Sequence, residues 1–224
     1  MAVERLSDCV YDSIIMFTGI VKGLGTVVSV EDKPGLRTFV VEFPAGYSDG
    51  LQIGASIAID GVCLTVTRVE NSKGPAFVTF DVMKETLDKT TIGLVEVGSR
   101  VNVERSYRVG DEVGGHIVSG HVTGMGEIVD VETPENNRVV TLRVPKEWMK
   151  YVLPKGFIGL DGCSLTVVDV DKHAGTFTVW LIPETLRSTT FGFKRINDKV
   201  NVEIDSKTQA IVDTIEEHFR SIRD

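Results

Sequence analysis

Four side chains in this sequence have the chemistry of a reaction centre: Cys63, His116, His121 and Ser164. The histidines lie in Gly114-Gly115-His116-Ile117-Val118-Ser119-Gly120-His121, among glycines and small residues. An imidazole titrates near neutrality, so it both takes and gives a proton at physiological pH, which makes His121 a candidate proton carrier. The two histidines are five residues apart, which suits neither one strand face nor one helix face and argues against a shared metal ion. Cys63 has two readings, a nucleophile or a small filler of the core. Thr90-Thr91 and Thr189-Thr190 are either site residues or hydroxyls that bond turn backbone.

These residues belong to a repeat. Phe17-Thr18-Gly19-Ile20-Val21-Lys22-Gly23-Leu24-Gly25 aligns with Val118 to Gly126, with four glycine or valine positions in common. Ile59-Asp60-Gly61-Val62-Cys63-Leu64-Thr65-Val66 aligns with Leu160-Asp161-Gly162-Cys163-Ser164-Leu165-Thr166-Val167. Glu85-Thr86-Leu87 to Gly93 aligns with Glu184-Thr185-Leu186 to Gly192, and Val101-Asn102-Val103-Glu104 with Val200-Asn201-Val202-Glu203. A period of about a hundred residues exceeds the ~20–50 of solenoid units and is the length of a domain. The chain reads as a duplicated domain, 16–110 and 111–205, followed by a segment 206–224 outside the repeat.

Composition bounds the partners. The 224 residues carry a net charge of -8 with no Lys/Arg cluster, so nucleic acid is an unexpected partner. Cys9, Cys63 and Cys163 are odd in number and lack metal-ligand spacing, which fits a reduced compartment, with the cytoplasm as the default. No apolar run approaches the ~20 residues of a membrane span. Residues 1–15 carry Glu4, Asp8 and Asp12, unlike a signal or transit peptide, and read as a disordered extension ahead of Met16.

Short β-rich runs at 26–30, 38–43, 56–59, 63–69, 76–82 and 100–105 are separated by turn signals, among them 31–35 and Asp60-Gly61. Six such strands in about ninety residues predict a small closed or Greek-key barrel, and 118–205 repeats the plan. A short helix is expected at 84–89 and a helical turn at 148–151. Alternation along 63–67 turns Leu64 and Val66 inward, and Cys63, Thr65 and Thr67 outward; Leu165 and Val167 oppose Ser164 and Thr166 in the same way. So narrow a barrel is filled by side chains. A ligand must therefore bind on the outer wall, with a second barrel as cover. Beyond the repeat, Asp205 or Ser206 caps a helix in which Ile211, Ile215, Phe219 and Ile222 form one apolar stripe. That stripe either packs on its own barrel or joins chains.

The duplicated motifs, together with Gly114 to His121, Asn136-Asn137-Arg138, Lys155-Gly156-Phe157-Ile158-Gly159, Leu181 to Thr185 and Ile204 to Ala210, resemble the riboflavin synthase family from Met16 to the end. The resemblance implies an all-β fold of two tandem six-stranded Greek-key barrels plus a C-terminal helix that holds a homotrimer together. It also implies a cofactor-free, metal-free dismutation of two 6,7-dimethyl-8-ribityllumazine molecules. The products are riboflavin and 5-amino-6-ribitylamino-2,4-pyrimidinedione. Carried over by position, a first pocket uses Gly19, Ile20, Val21, Cys63, Leu64, Thr65, Asp81, Val82, Met83, Lys84, Glu85 and Thr86. A second uses Gly120, His121, Val122, Lys155, Ser164, Leu165, Thr166, Ile182, Pro183, Glu184 and Thr185. Phe17, Ser56, Cys63, His116, His121, Lys155, Ser164 and Thr166 are the catalytic candidates. The first pocket is expected nearest the chemistry, with His121 and Ser164 or Thr166 reaching it from across the junction between chains. Antenna proteins of the same fold, which hold a lumazine or flavin without turning it over, are the alternative.

Overall fold

The computed structural model describes residues 16–71, 74–108 and 110–223; the extension 1–15 lies outside them. Strands β1 (Gly23–Lys33), β2 (Leu36–Phe43), β3 (Ser56–Ile59), β4 (Val62–Asn71), β5 (Ala76–Met83) and β6 (Arg100–Arg105) close into an antiparallel barrel in the order β1-β2-β5-β4-β3-β6. Strands β7 (Gly124–Glu132), β8 (Arg138–Arg143), β9 (Phe157–Leu160), β10 (Cys163–Asp171), β11 (Thr176–Leu181) and β12 (Lys199–Ile204) repeat that order around a second ring. Short helices α1 (Lys84–Lys89) and α2 (Pro183–Ser188) follow β5 and β11, and a 3-10 turn spans Lys146–Lys150.

Local sequence explains the hairpins. Asp60-Gly61 and Asp161-Gly162 are two-residue turns with φ of 43° and 77°, and 44° and 79°, the left-handed pair that suits Asp followed by Gly. The β1–β2 turn is tighter than the 31–35 composition suggested. Pairing continues to Lys33–Leu36 and leaves only Pro34 and Gly35 in the loop, because Pro fixes the first turn position and Gly35, at φ 74°, supplies the second. Irregularities at Val27/Ser29 and Val66/Arg68 recur at Ile128/Asp130 and Val167/Val170. Such bulges bend strands sharply enough to close a six-stranded ring. Phe39, Phe80, Ile57 and Val66 fill the first interior, and Phe177, Leu142, Ile158 and Val167 the second.

The barrels meet hairpin to hairpin. Asn102 on β6 donates its main-chain N–H to Asp60 Oδ1 (2.7 Å) in its own barrel, and Nδ2 to the Asp161 carbonyl (2.8 Å) in the other. Asn201 on β12 does the converse, to Asp161 Oδ1 (2.7 Å) and the Asp60 carbonyl (2.8 Å). Their side-chain oxygens accept from Thr190 N and Thr91 N. A Cβ on Gly61 would lie 2.5 Å from Gly162 N, so the turns touch through their glycines. Lys194 breaks the symmetry. Its ammonium lies 2.8 Å from buried Asp161 Oδ2, whereas the aligned residue of the first half is Val95.

Helix α3 (Ser206–Arg223) starts where Asp205 accepts from Thr208 N at 2.9 Å. It does not pack its apolar stripe on its own barrel. Lys150 pairs with Asp213 and Glu216, and Tyr151 donates to Asp213, so a polar face turns inward. Ile211, Ile215, Phe219 and Ile222 are left 50–66 % exposed.

The asymmetry at the seam sets a pH dependence. Burial first, and the nearby Asp161 charge second, push the Asp60 carboxyl up to about 8, against the pull of Lys194 and the Asn102 N–H. Folded Asp60 therefore keeps a proton that the unfolded chain releases near the ordinary value of about 4. Its stability contribution is complete below that value and is lost as pH rises through the folded value. Asp60→Asn keeps the acceptor for Asn102 and cannot ionise. Its thermal melting should gain on the unsubstituted chain from pH 5 to 8, toward about 2–5 kcal/mol. A difference independent of pH would refute a proton held on Asp60.

Candidate active site

The site begins where the two homologous segments cross. Phe17 and Val118 exchange backbone bonds, Phe17 N to Val118 O (2.8 Å) and Val118 N to Phe17 O (3.0 Å). Beyond that bridge each segment runs against the other barrel. Gly19 O accepts from Ser164 N at 2.8 Å, and Gly120 O accepts from Cys63 N at 2.9 Å. Val21 accordingly packs in the second core and Val122 against the first. Only glycine fits at the crossing. Gly19 and Gly120 have φ of 71° and 79°, and added Cβ atoms would lie 2.5 Å from Ser164 Cβ and 2.6 Å from Cys63 Cβ.

Two open clefts result, on the outer walls of the barrels. One, about 230 Å³, is lined by Cys63, Glu85, Thr86, Lys89, Thr90, Gly120, His121 and Val122. The other, about 180 Å³, is lined by Gly19, Ile20, Val21, Cys163, Ser164, Leu165, Glu184, Thr185, Ser188 and Thr189. The expected grouping is thereby corrected. Within one chain His121 belongs with Cys63, and Gly19 to Val21 belong with Ser164, because the crossing exchanges the two segments. Both clefts fall below the ~300–1,000 Å³ typical of small-molecule pockets. A wider cleft, about 430 Å³, between Lys22, Tyr47, Arg105 and Arg108 holds none of the candidates.

The two clefts carry different chemistry. Burial raises the Cys63 thiol, the neighbouring Ser56 hydroxyl pulls it down by hydrogen bonding, and the Glu203 charge raises it further. Cys63 is thus a neutral thiol at pH 7, with buried Ser56 behind it. In the second cleft Ser164 Oγ accepts from His116 N at 3.0 Å and lies 2.6 Å from His116 Nδ1. Burial lowers the His116 imidazole, so the ring is neutral. Oγ has a second acceptor site and one proton, so the contact with Nδ1 is a hydrogen bond whose donor is set by the imidazole tautomer. The ring stacks on Phe157 at 5.1 Å.

Other candidates fall elsewhere. Phe17 is 1 % exposed and fills the seam with Ala58 and Val118, so it faces neither cleft. Lys155, at φ 66°, is exposed on a loop outside both clefts, its N–H bonded to Val167 O. Leu64 and Val82 belong to the first core, as their inward strand positions require. Thr65, Thr166, Met83 and Ile182 are exposed on the outer walls. Asp81 accepts from Thr38, and Lys84 pairs with Asp88. Pro183 opens α2, while Glu184 and Glu85, which do line the clefts, pair with Arg187 and Lys89. Thr90 and Thr189 both line clefts and close the short helices by donating to Thr86 O and Thr185 O. The repeated Thr-Thr is the signal in the sequence for both.

Known proteins give the comparison. A model of the lumazine binding domain matches residues 18–106 and again 119–205. The riboflavin synthase of Escherichia coli (strain K12) is 50% identical over 202 residues, covering 90% of this chain and 92% of that one. The riboflavin synthase of Buchnera aphidicola subsp. Schizaphis graminum (strain Sg) is 46% identical over 200 residues, covering 89% and 93%. The solved structure of LumP complexed with riboflavin is similar in fold, with a TM-score of 0.77 and 23% identity over 85% of this chain and 100% of that one.

The crossing can be tested by its glycines. Gly35→Ala strains only a φ of 74° in open space and should cost about 1 kcal/mol. Gly120→Ala adds contact with Cys63 and should cost about 2–4 kcal/mol in urea unfolding. Equal losses would mean that the crossing is loose.

Proposed function

The chain belongs to the riboflavin synthase family, and from that premise we propose that it converts two molecules of 6,7-dimethyl-8-ribityllumazine into riboflavin and 5-amino-6-ribitylamino-2,4-pyrimidinedione. One observation carries the reading: two homologous outer-wall clefts with unequal chemistry, in a chain half identical to a riboflavin synthase over nine-tenths of its length. A dismutation needs two copies of one substrate in unequal roles. Two equivalent clefts supply the copies, and their unlike groups supply the roles. Identity of 50% to a riboflavin synthase favours the enzyme over an antenna protein.

Each cleft would hold one bicyclic ring against β4 or β10. Ser164, hydrogen-bonded to His116 Nδ1, would act on the ring in the second cleft as a nucleophile or a proton donor. His121, exposed beside Cys63, would carry protons for the ring in the first. Cys63, Ser56, Thr65 and Thr166 would contact or orient the rings, and Lys155 would reach a ring bound between chains. Stacking the two rings removes the entropy cost of their encounter, worth up to ~7–11 kcal/mol of barrier in well-oriented reactions. No group on the chain is oxidised or reduced, so the redox balance closes within the two substrates.

Half-sized clefts need a partner surface, and the exposed stripe of α3 supports assembly. In the proposed homotrimer the helices pack through Ile211, Ile215, Phe219 and Ile222, and the first barrel of one chain faces the second of its neighbour. Among the described residues no helix is long and apolar enough to cross a membrane. We place the enzyme in the cytoplasm.

Two measurements decide. Purified protein given the lumazine alone should form riboflavin, one per two lumazines consumed; ligand binding without turnover would leave the antenna reading. Ile215→Asp with Phe219→Asp keeps the Lys150 contacts of α3 and should sediment as monomer, with turnover down at least about tenfold, equivalent to ~1.4 kcal/mol. An active monomer would refute the shared site.

A further inference from the structure

Buried carboxylates hold both crossing loops, and neither belongs to the cleft it serves through its own barrel. Glu203 on β12 accepts from Ser119 N (2.6 Å) and Ser119 Oγ (2.8 Å) at Oε1, and from Gly120 N (3.0 Å) at Oε2. Glu104 on β6 accepts from Thr18 N (2.6 Å) and Thr18 Oγ1 (2.7 Å) at Oε1, and from Gly19 N (3.1 Å) at Oε2. Both side chains are buried. The hydroxyls turn the loops further, Ser119 Oγ accepting from His121 N and Thr18 Oγ1 from Ile20 N.

Three donors converge on two oxygens in each case, the pattern a carboxylate accepts with both oxygens, and these bonds pull each carboxyl down against the larger upward push of burial. An amide would set its own NH₂ against a buried N–H. The loop held by Glu203 carries Gly120 and His121 to Cys63, on the first barrel. The loop held by Glu104 carries Gly19 and Ile20 to Ser164, on the second. We propose that Glu104 and Glu203 are positioning residues with crossed responsibility: each carboxylate sets the cleft built on the opposite barrel. The inference rests on reading the clefts as the two substrate half-sites. The barrels are then interdependent, and neither cleft is complete without a carboxylate from the other barrel.

Cysteine alkylation reads the loops without substrate. Gly120 lies directly on Cys63, so freeing the loop exposes the thiol. In the full chain, with the Cys63 peptide followed by mass spectrometry, Glu203→Gln should speed iodoacetamide labelling about tenfold, while Glu104→Gln should leave it within about twofold. In a Ser164→Cys background the pattern should reverse for the thiol introduced there. Ser119→Ala keeps the Glu203 charge and removes one donor, so its smaller acceleration at Cys63 separates loop freedom from electrostatics; it also serves if Glu203→Gln does not fold. Unchanged labelling, or equal acceleration at both positions by either Glu variant, would overturn the crossed assignment. On the lumazine, Glu203→Gln should lower kcat more than it raises KM, since it displaces His121 and leaves most of the cleft intact. Because labelling needs no turnover, a chain without synthase activity would sink the proposed reaction while leaving the labelling pattern to judge the loops.

Discussion

Two buried asparagines hold this molecule in one arrangement. Asn102 and Asn201 each use the main chain for their own barrel's Asp-Gly turn and the side chain for the other barrel's. A buried amide left without partners costs about 1–3 kcal/mol per group, so sliding or rotating one barrel on the other would orphan several groups together. That penalty, more than apolar contact, fixes the mutual orientation. The turns in question lead directly into Val62-Cys63 and Cys163-Ser164, so orientation of the barrels is also orientation of the clefts.

Near-symmetry holds the two clefts in matching geometry while their chemistry diverges. Ser56 stands behind Cys63; its counterpart Phe157 instead stacks on His116 and holds the ring that meets Ser164. His121 lies where the other loop has Ile20. Lys194 neutralises Asp161 while Asp60 keeps its proton. A dismutation tolerates such divergence because its two substrate molecules are alike only until one gives and the other receives. Duplication supplies a second cleft of the right shape, and substitution then makes it different.

Much of this was legible in the chain. The repeat, the Asp-Gly turns, the alternation at 63–67 and the placing of ligand clefts on the outer walls all follow from local pattern. What the sequence hid was pairing at long range. Nothing local to Gly19 shows that its carbonyl meets Ser164, 145 residues on, so aligned motifs invited the grouping of each loop with its own barrel. The repeated Val-Asn-Val-Glu was visible as a strand, yet a glutamate at a strand end usually faces water. Only the fold shows both carboxylates buried beneath loops 86 and 84 residues away. Lys155 lies outside both clefts within one chain although its motif is intact, because its loop joins neither wall.

The remaining incompleteness has one geometry. In an isolated amphipathic helix the apolar side seeks the nearest core, but α3 is anchored by Lys150 and Tyr151 through its acidic side. Three charge-assisted bonds outweigh the exposure of four apolar side chains only if those side chains find cover elsewhere, since each is worth about 1.5–3 kcal/mol when fully buried. The clefts are open too, at about 230 and 180 Å³. The proposed assembly, which would bury the stripe and set cleft against cleft, would answer both, with the polar anchor of α3 holding the stripe outward.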